Sequence, residues 1–167
     1  TSFVVNNTAE MLSSMGISTA VLDMTKSKNS YYIYTNNEEE LRKISTKCMK
    51  NLENGIAEGI KVTKTLTIYT QMPGEEEHYN IDNVLSTLVQ NYSAVLIDTD
   101  FDTPAEIFDR VQEIYLVQSM DVLTIQPLTA FLRNLKSKNI LRQEKLRIVI
   151  NKSELVRSLN IKTLIGG

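Results

Sequence analysis

The sequence has a single cysteine, Cys48, and a single histidine, His78. An intrachain disulfide is excluded, and so is a zinc site built from Cys and His, which needs several such ligands. Cys48 falls on a predicted helix and reads as a small apolar residue rather than a redox sensor. A reducing compartment is expected, and with it a cytoplasmic location. No apolar run approaches the ~18 residues that a membrane-spanning helix needs. A secretory signal pattern is also lacking. Basic residues are not in excess: the formal net charge is -2. That balance argues against nucleic acid or an anionic membrane as a general partner and leaves DNA or membrane contact to a local patch. Repeats, low-complexity stretches and linkers are missing, so the 167 residues are expected to form one domain over 1–167. The first residues, Thr1-Ser2, fall inside a predicted helix onset and the last are Gly166-Gly167, so that domain is expected to be incomplete at both ends, a piece of a longer protein.

What is present is an alternation of helices and buried strands. A helix is predicted over 3–15, with Phe3, Val4, Asn7, Met11 and Met15 on one face and Gly16 as its C-cap. Met11, Met15 and Met120 are expected in the core. The run 19–23 reads as a strand buried on both faces and closing on Asp23. Residues 24–37 read as a loop, or a loop with a short strand, containing Tyr31, Tyr32 and Tyr34, which either pack over a sheet edge or offer a partner surface. Asn36, Asn37 and Glu38 can cap a helix running to about Asn54, with Leu41, Ile44, Cys48 and Leu52 inward. Further strands are predicted at 66–69, at 93–98 (closing on Asp98), within 111–117 and at 146–150. Amphipathic helices are expected over 81–91 and from Pro127 to Lys138, and a last helix over 153–164. Strands separated by helices imply right-handed crossovers: an α/β, three-layer α/β/α sandwich with a mostly parallel sheet.

Such sheets bind ligands beyond the carboxyl ends of their strands. Asp23 and Asp98 each follow an apolar strand directly, so neighbouring strands would bring two carboxylates to one edge. Carboxylates suit the magnesium ion of a bound nucleotide, and capping of the following turn is the alternative role. Thr1 and Ser2 open a helix whose N-terminus can bind phosphate, although Thr-Ser at a helix start is otherwise only a capping signal.

Four segments in order resemble the MinD/ParA family of deviant Walker ATPases. TSFVVNNTAEMLSSMGISTAVLD, 1–23, resembles its P-loop helix, glycine turn and second strand. AVLIDTD, 94–100, resembles the Walker B strand. EIYLVQSMDVLTIQPLTAFLRNLK, 113–136, resembles the strand and helix that follow, and RIVINK, 147–152, the strand whose terminal Asn contacts adenine. Specificity lies in their order and spacing. The resemblance implies a P-loop nucleotide-binding fold and ATP or ADP with Mg as ligands. It makes Ser2, or Thr1 in the alternative register, the hydroxyl on magnesium. Counting back from Gly16 favours Ser2 and puts Thr1 where the phosphate-binding lysine usually stands; a P-loop variant lacking that lysine occurs in the pilus-localising CpaE/TadZ branch. With one extra helix residue, the lysine would instead precede Thr1. Asp23 and Asp98 correspond to acids at the metal, and Asn151, followed by Lys152, to the adenine contact.

Two positions depart from the family pattern. Thr25 stands where a second acid usually positions the attacking water, and threonine cannot act as a general base. Asp100 stands where proline often follows, with Asp102 next and Pro104 delayed. The function implied is a slow ATPase acting as a dimerisation and localisation switch, with a homodimer and a further protein as partners. A non-hydrolysing scaffold that binds a protein partner is the alternative. A receiver domain is disfavoured, because its first strand with paired acids is lacking. His78, beside glutamates in a polar loop, reads as solvated. The run Arg133, Lys136, Lys138, Arg142, Lys145 and Arg147 reads as a solvated face or a contact for DNA or an acidic partner.

Overall fold

The computed structural model describes residues 2–75, 77–119, 122–140 and 146–151. The chain divides into two compact units, Thr1–Thr103 and Pro104–Gly167.

The first unit holds a four-stranded sheet in the order β2-β3-β1-β4. Its strands are β1 (Thr19–Asp23), β2 (Ile60–Lys61), β3 (Leu66–Tyr69) and β4 (Ala94–Asp98). β3 and β4 both run parallel to β1, and β2 is an antiparallel edge on β3. Every residue of β1 is buried, as expected of a central strand covered on both faces. One face carries α1 (Ser2–Ser14), whose Ala9 packs with Val21, Ile60, Leu66 and Ile68. The other carries α3 (Glu39–Glu53) and α4 (Ile81–Asn91), whose Cys48, Met49, Leu52, Val84 and Leu88 pack on Ala20, Leu22 and Tyr69. This unit is thus an α/β/α sandwich with a mostly parallel sheet, as the alternation predicts.

The inward face of α1 is not the one expected. Asn6, Ala9 and Ser13 are buried, whereas Phe3, Met11 and Met15 are exposed by 75%, 59% and 68%. Small residues let the helix backbone lie close on the sheet, and Ser13 uses that proximity to hydrogen-bond Thr63 and Thr65 at 2.7 and 2.6 Å. The bulky side chains are left to the outer face. The segment expected as a loop contains α2 (Asn29–Thr35), flanked by left-handed Lys28 and Asn36. It lacks a side-chain cap; the Ser30 N–H donates to Asp23 Oδ2 at 3.3 Å instead, a tertiary anchor with no local signature. Tyr31 is buried, Tyr34 packs against the α1-side core, and Tyr32 is exposed. Asn36 and Asn37 form a left-handed turn, and the cap position of α3 is Glu38.

The second unit contains α5 (Ala105–Arg110), β5 (Ile114–Ser119), α6 (Val122–Ser137) and β6 (Leu146–Asn151). β5 and β6 pair in parallel. α6 begins five residues before the expected start, so Pro127 lies in its second turn, where it removes one helical hydrogen bond. Its predicted apolar face holds: Leu128, Leu132 and Leu135 are buried, and Phe131 packs edge-on against Phe108 of α5 at 5.2 Å. Met120, Arg142, Lys145 and the helix expected over 153–164 lie outside the described residues. Among the described residues, no helix is long and apolar enough to cross a membrane.

Candidate functional site

Parallel pairing of β1 with β4 puts Asp23 directly opposite Asp98. Both carboxylates lie at the carboxyl edge of the sheet and both are buried. The N-terminal turn of α1 reaches the same edge: Ser2 Oγ donates to Asp98 Oδ2 at 2.5 Å. The other oxygen of Asp98, Oδ1, is buried with no partner among the described residues. Burial pushes the Asp98 carboxyl above the usual carboxylate range; the Ser2 hydrogen bond opposes this and the negative charge of Asp23 adds to it. A buried acceptor that is left unpaired is costly, and it would be relieved by a cation.

Asp23 is engaged differently. Its Oδ1 accepts from Thr25 N–H at 3.0 Å and from the Thr25 hydroxyl at 2.6 Å. Its Oδ2 accepts from Ser30 N–H and from the Thr70 hydroxyl, both at 3.3 Å. Lys28 Nζ donates to the Asp23 carbonyl at 2.8 Å. Asp23 therefore organises the loop after β1 and contributes its charge to Asp98.

The loop after β4 meets the loop after β1. Met24 N–H donates to the Asp98 carbonyl at 2.8 Å, extending the ladder by one rung. Lys26 N–H donates to Asp100 Oδ2 at 2.6 Å. The Thr103 hydroxyl lies 3.2 Å from the Met24 carbonyl and 3.3 Å from Asp100 Oδ1, and can donate to either.

Of the residues the sequence nominates, Ser2, Asp23 and Asp98 converge on one sheet edge. Asn151 ends β6, opposite Ser119 at the end of β5; its side chain, and Thr1 and Lys152 entirely, lie outside the described residues. The roles of Lys28 and Thr103 were not legible. Asp100 was visible only as a departure from the expected proline. Among the described residues no three His, Cys, Asp or Glu side chains gather around a point, so any cation here would draw further ligands from hydroxyl, water or phosphate oxygens.

No protein-family model and no curated protein sequence matches the chain. Solved structures do. A plasmid partition protein from Borrelia burgdorferi superposes with a TM-score of 0.68 at 16% identity, over 94% of this chain and 77% of that one. A chain of the MinC:MinD cell division protein complex from Aquifex aeolicus gives 0.65 at 13%, over 97% and 69%. The chain has the ParA/MinD fold. A ParA family ATPase from Chlorobium tepidum matches with 0.59 at 16%, over 90% and 67%. The ParA/MinD fold explains why a helix N-terminus and two strand-end acids should share an edge: a doubly wound sheet collects its functional groups at the carboxyl ends of adjacent strands.

Proposed function

We propose that the chain is a MinD/ParA-like ATP-binding protein, a slow ATPase in which bound nucleotide controls dimerisation and localisation. The supporting observation is the Ser2–Asp98 hydrogen bond beside the unpartnered, buried Asp98 Oδ1. In this reading Ser2 and Asp98 hold magnesium, with Asp23 behind them supplying charge and holding the loop. The ion would neutralise charge on the phosphates as the terminal group leaves. The N-terminus of α1, with its first-turn N–H groups, would bind the phosphates. Thr1, Asn151 and Lys152 are proposed nucleotide contacts. A homodimer and a further protein would read out the bound state.

One observation favours a second reading, a scaffold that binds nucleotide or a protein partner without turnover. The Thr25 hydroxyl, at the position of the water-positioning acid, donates to Asp23 and offers no base.

Calorimetric titration of the protein with Mg-ATP and Mg-ADP, beside Asp98→Ala and with phosphate release followed, tests both. Binding that weakens about tenfold or more in the variant, the weight of a charge-assisted contact, together with slow release, is the expected result. Binding without release selects the scaffold, and no binding at millimolar nucleotide rejects the ATP reading.

A further inference from the structure

We infer that Asp100 is a positioning residue: its carboxylate clasps the loop after β1 to the loop after β4 and fixes Thr25 and Asp23 beside the Ser2–Asp98 pair. The inference rests on the reading of that pair as a nucleotide site. Asp100 uses its two oxygens for two purposes. Oδ2 accepts from Lys26 N–H at 2.6 Å, across 74 residues of sequence. Oδ1 accepts from Asp102 N–H at 2.9 Å, which shapes the aspartate's own loop. The Asp100 N–H donates to Thr103 Oγ1 at 3.0 Å. The single Thr103 hydroxyl proton is directed at the Met24 carbonyl, 3.2 Å away, or at Asp100 Oδ1, 3.3 Å away. Met24 is also tied by its own N–H to the Asp98 carbonyl.

Thr25 therefore sits between two residues whose backbones are both fastened to the β4 loop. Its hydroxyl is then delivered to Asp23 Oδ1, and the Asp23 charge bears on Asp98. A proline at position 100 would have neither acceptor. A carboxylate is short enough to stay at the loop and has an acceptor for each side. An amide retains only one of the two.

The test compares Asp100→Ala and Asp100→Asn with the unaltered full-length protein. Residue-resolved amide hydrogen exchange is measured at Lys26, with the β-strand amides of Val21 and Leu96 as the control for folding. Mg-ATP affinity is measured by calorimetry on the same samples. In Asp100→Ala, Lys26 exchange is expected to rise about tenfold relative to the strand amides, the weight of a hydrogen bond to a charged group. Mg-ATP binding should weaken about threefold or more, and Asp100→Asn should fall between. Unchanged Lys26 exchange, a rise equal to that of the strand amides, or faster exchange with unaltered ATP affinity each overturns the inference. Should the unaltered protein bind no ATP, the proposed function fails and the clasp stands or falls on Lys26 exchange alone.

Discussion

Cys48 shows how burial can dominate the chemistry of a side chain. It is fully buried on α3, and its thiol donates towards the Ser45 and Thr70 carbonyls at 3.2 and 3.3 Å. Burial pushes the thiol from 9.0 up to about 11. The thiol is thus protonated at neutral pH and unreactive, since the thiolate is the nucleophile. Because the folded pKa is the higher one, its contribution to stability is complete below pH 9.0 and is lost as pH rises towards about 11. Unfolding free energy measured against pH should decline across that window, and a Cys48→Ala variant should lose that part of the decline. Alkylation should be slow in the native protein and rapid in denaturant. Asp98 is the contrasting case: a carboxylate also pushed up by burial, but with an oxygen left unpaired. A residue held at a cost to the fold is a candidate for function, whereas Cys48 is an ordinary core group.

Among the elements, the edge strand β2 shows a constraint that sequence patterning does not reveal. Two residues pair antiparallel to β3, too short a run to stand out in the sequence. Just before it, a Cβ on Gly59 would lie 2.8 Å from the Ile68 carbonyl oxygen and 2.9 Å from Thr67 Cγ2 and Tyr69 Cε1. Since one of those atoms is backbone, Gly59→Ala should push β2 away from β3. A loss of roughly 1–3 kcal/mol is expected, as for other overpacking substitutions, to be read from the urea midpoint. An unchanged midpoint would mean that the edge accommodates the methyl group freely. α4, by contrast, was legible to the residue: its apolar spacing gives 81–91, and Asn80 caps it by accepting from Asn83 N–H at 3.1 Å. α1 was legible in its limits but not in its orientation, because the stripe that can be read, with Phe3 and Met11, faces outward and the buried residues are small. α2 and α5 were missed. One is held by Asp23, and both are short, seven and six residues, so neither offers a full amphipathic repeat.

For the whole molecule, the prediction concerns linkage. A ligand that binds only the folded chain stabilises it by mass action, by about 2.7 kcal/mol at a hundredfold excess over Kd. Mg-ATP at that excess should raise the melting temperature by roughly 5–10 °C for a chain of this size, and chelating the magnesium should remove most of the gain. An unchanged transition at millimolar Mg-ATP would count against the proposed site. The sequence by itself determined the α/β alternation, the limits of β1, β3, β4 and β6 to within a residue, and the acids that close β1 and β4. Those features are local, since they depend on hydrophobic periodicity and on the residue that ends each run. Only the tertiary structure decided that Asp23 and Asp98 face each other, that Ser2 reaches Asp98, that α1 buries its small residues, and that Asp100 binds two loops together. Each of these depends on strand order or on contacts between groups far apart in the chain, and hydrogen bonds such as the one spanning 96 residues from Ser2 to Asp98 have no period to announce them.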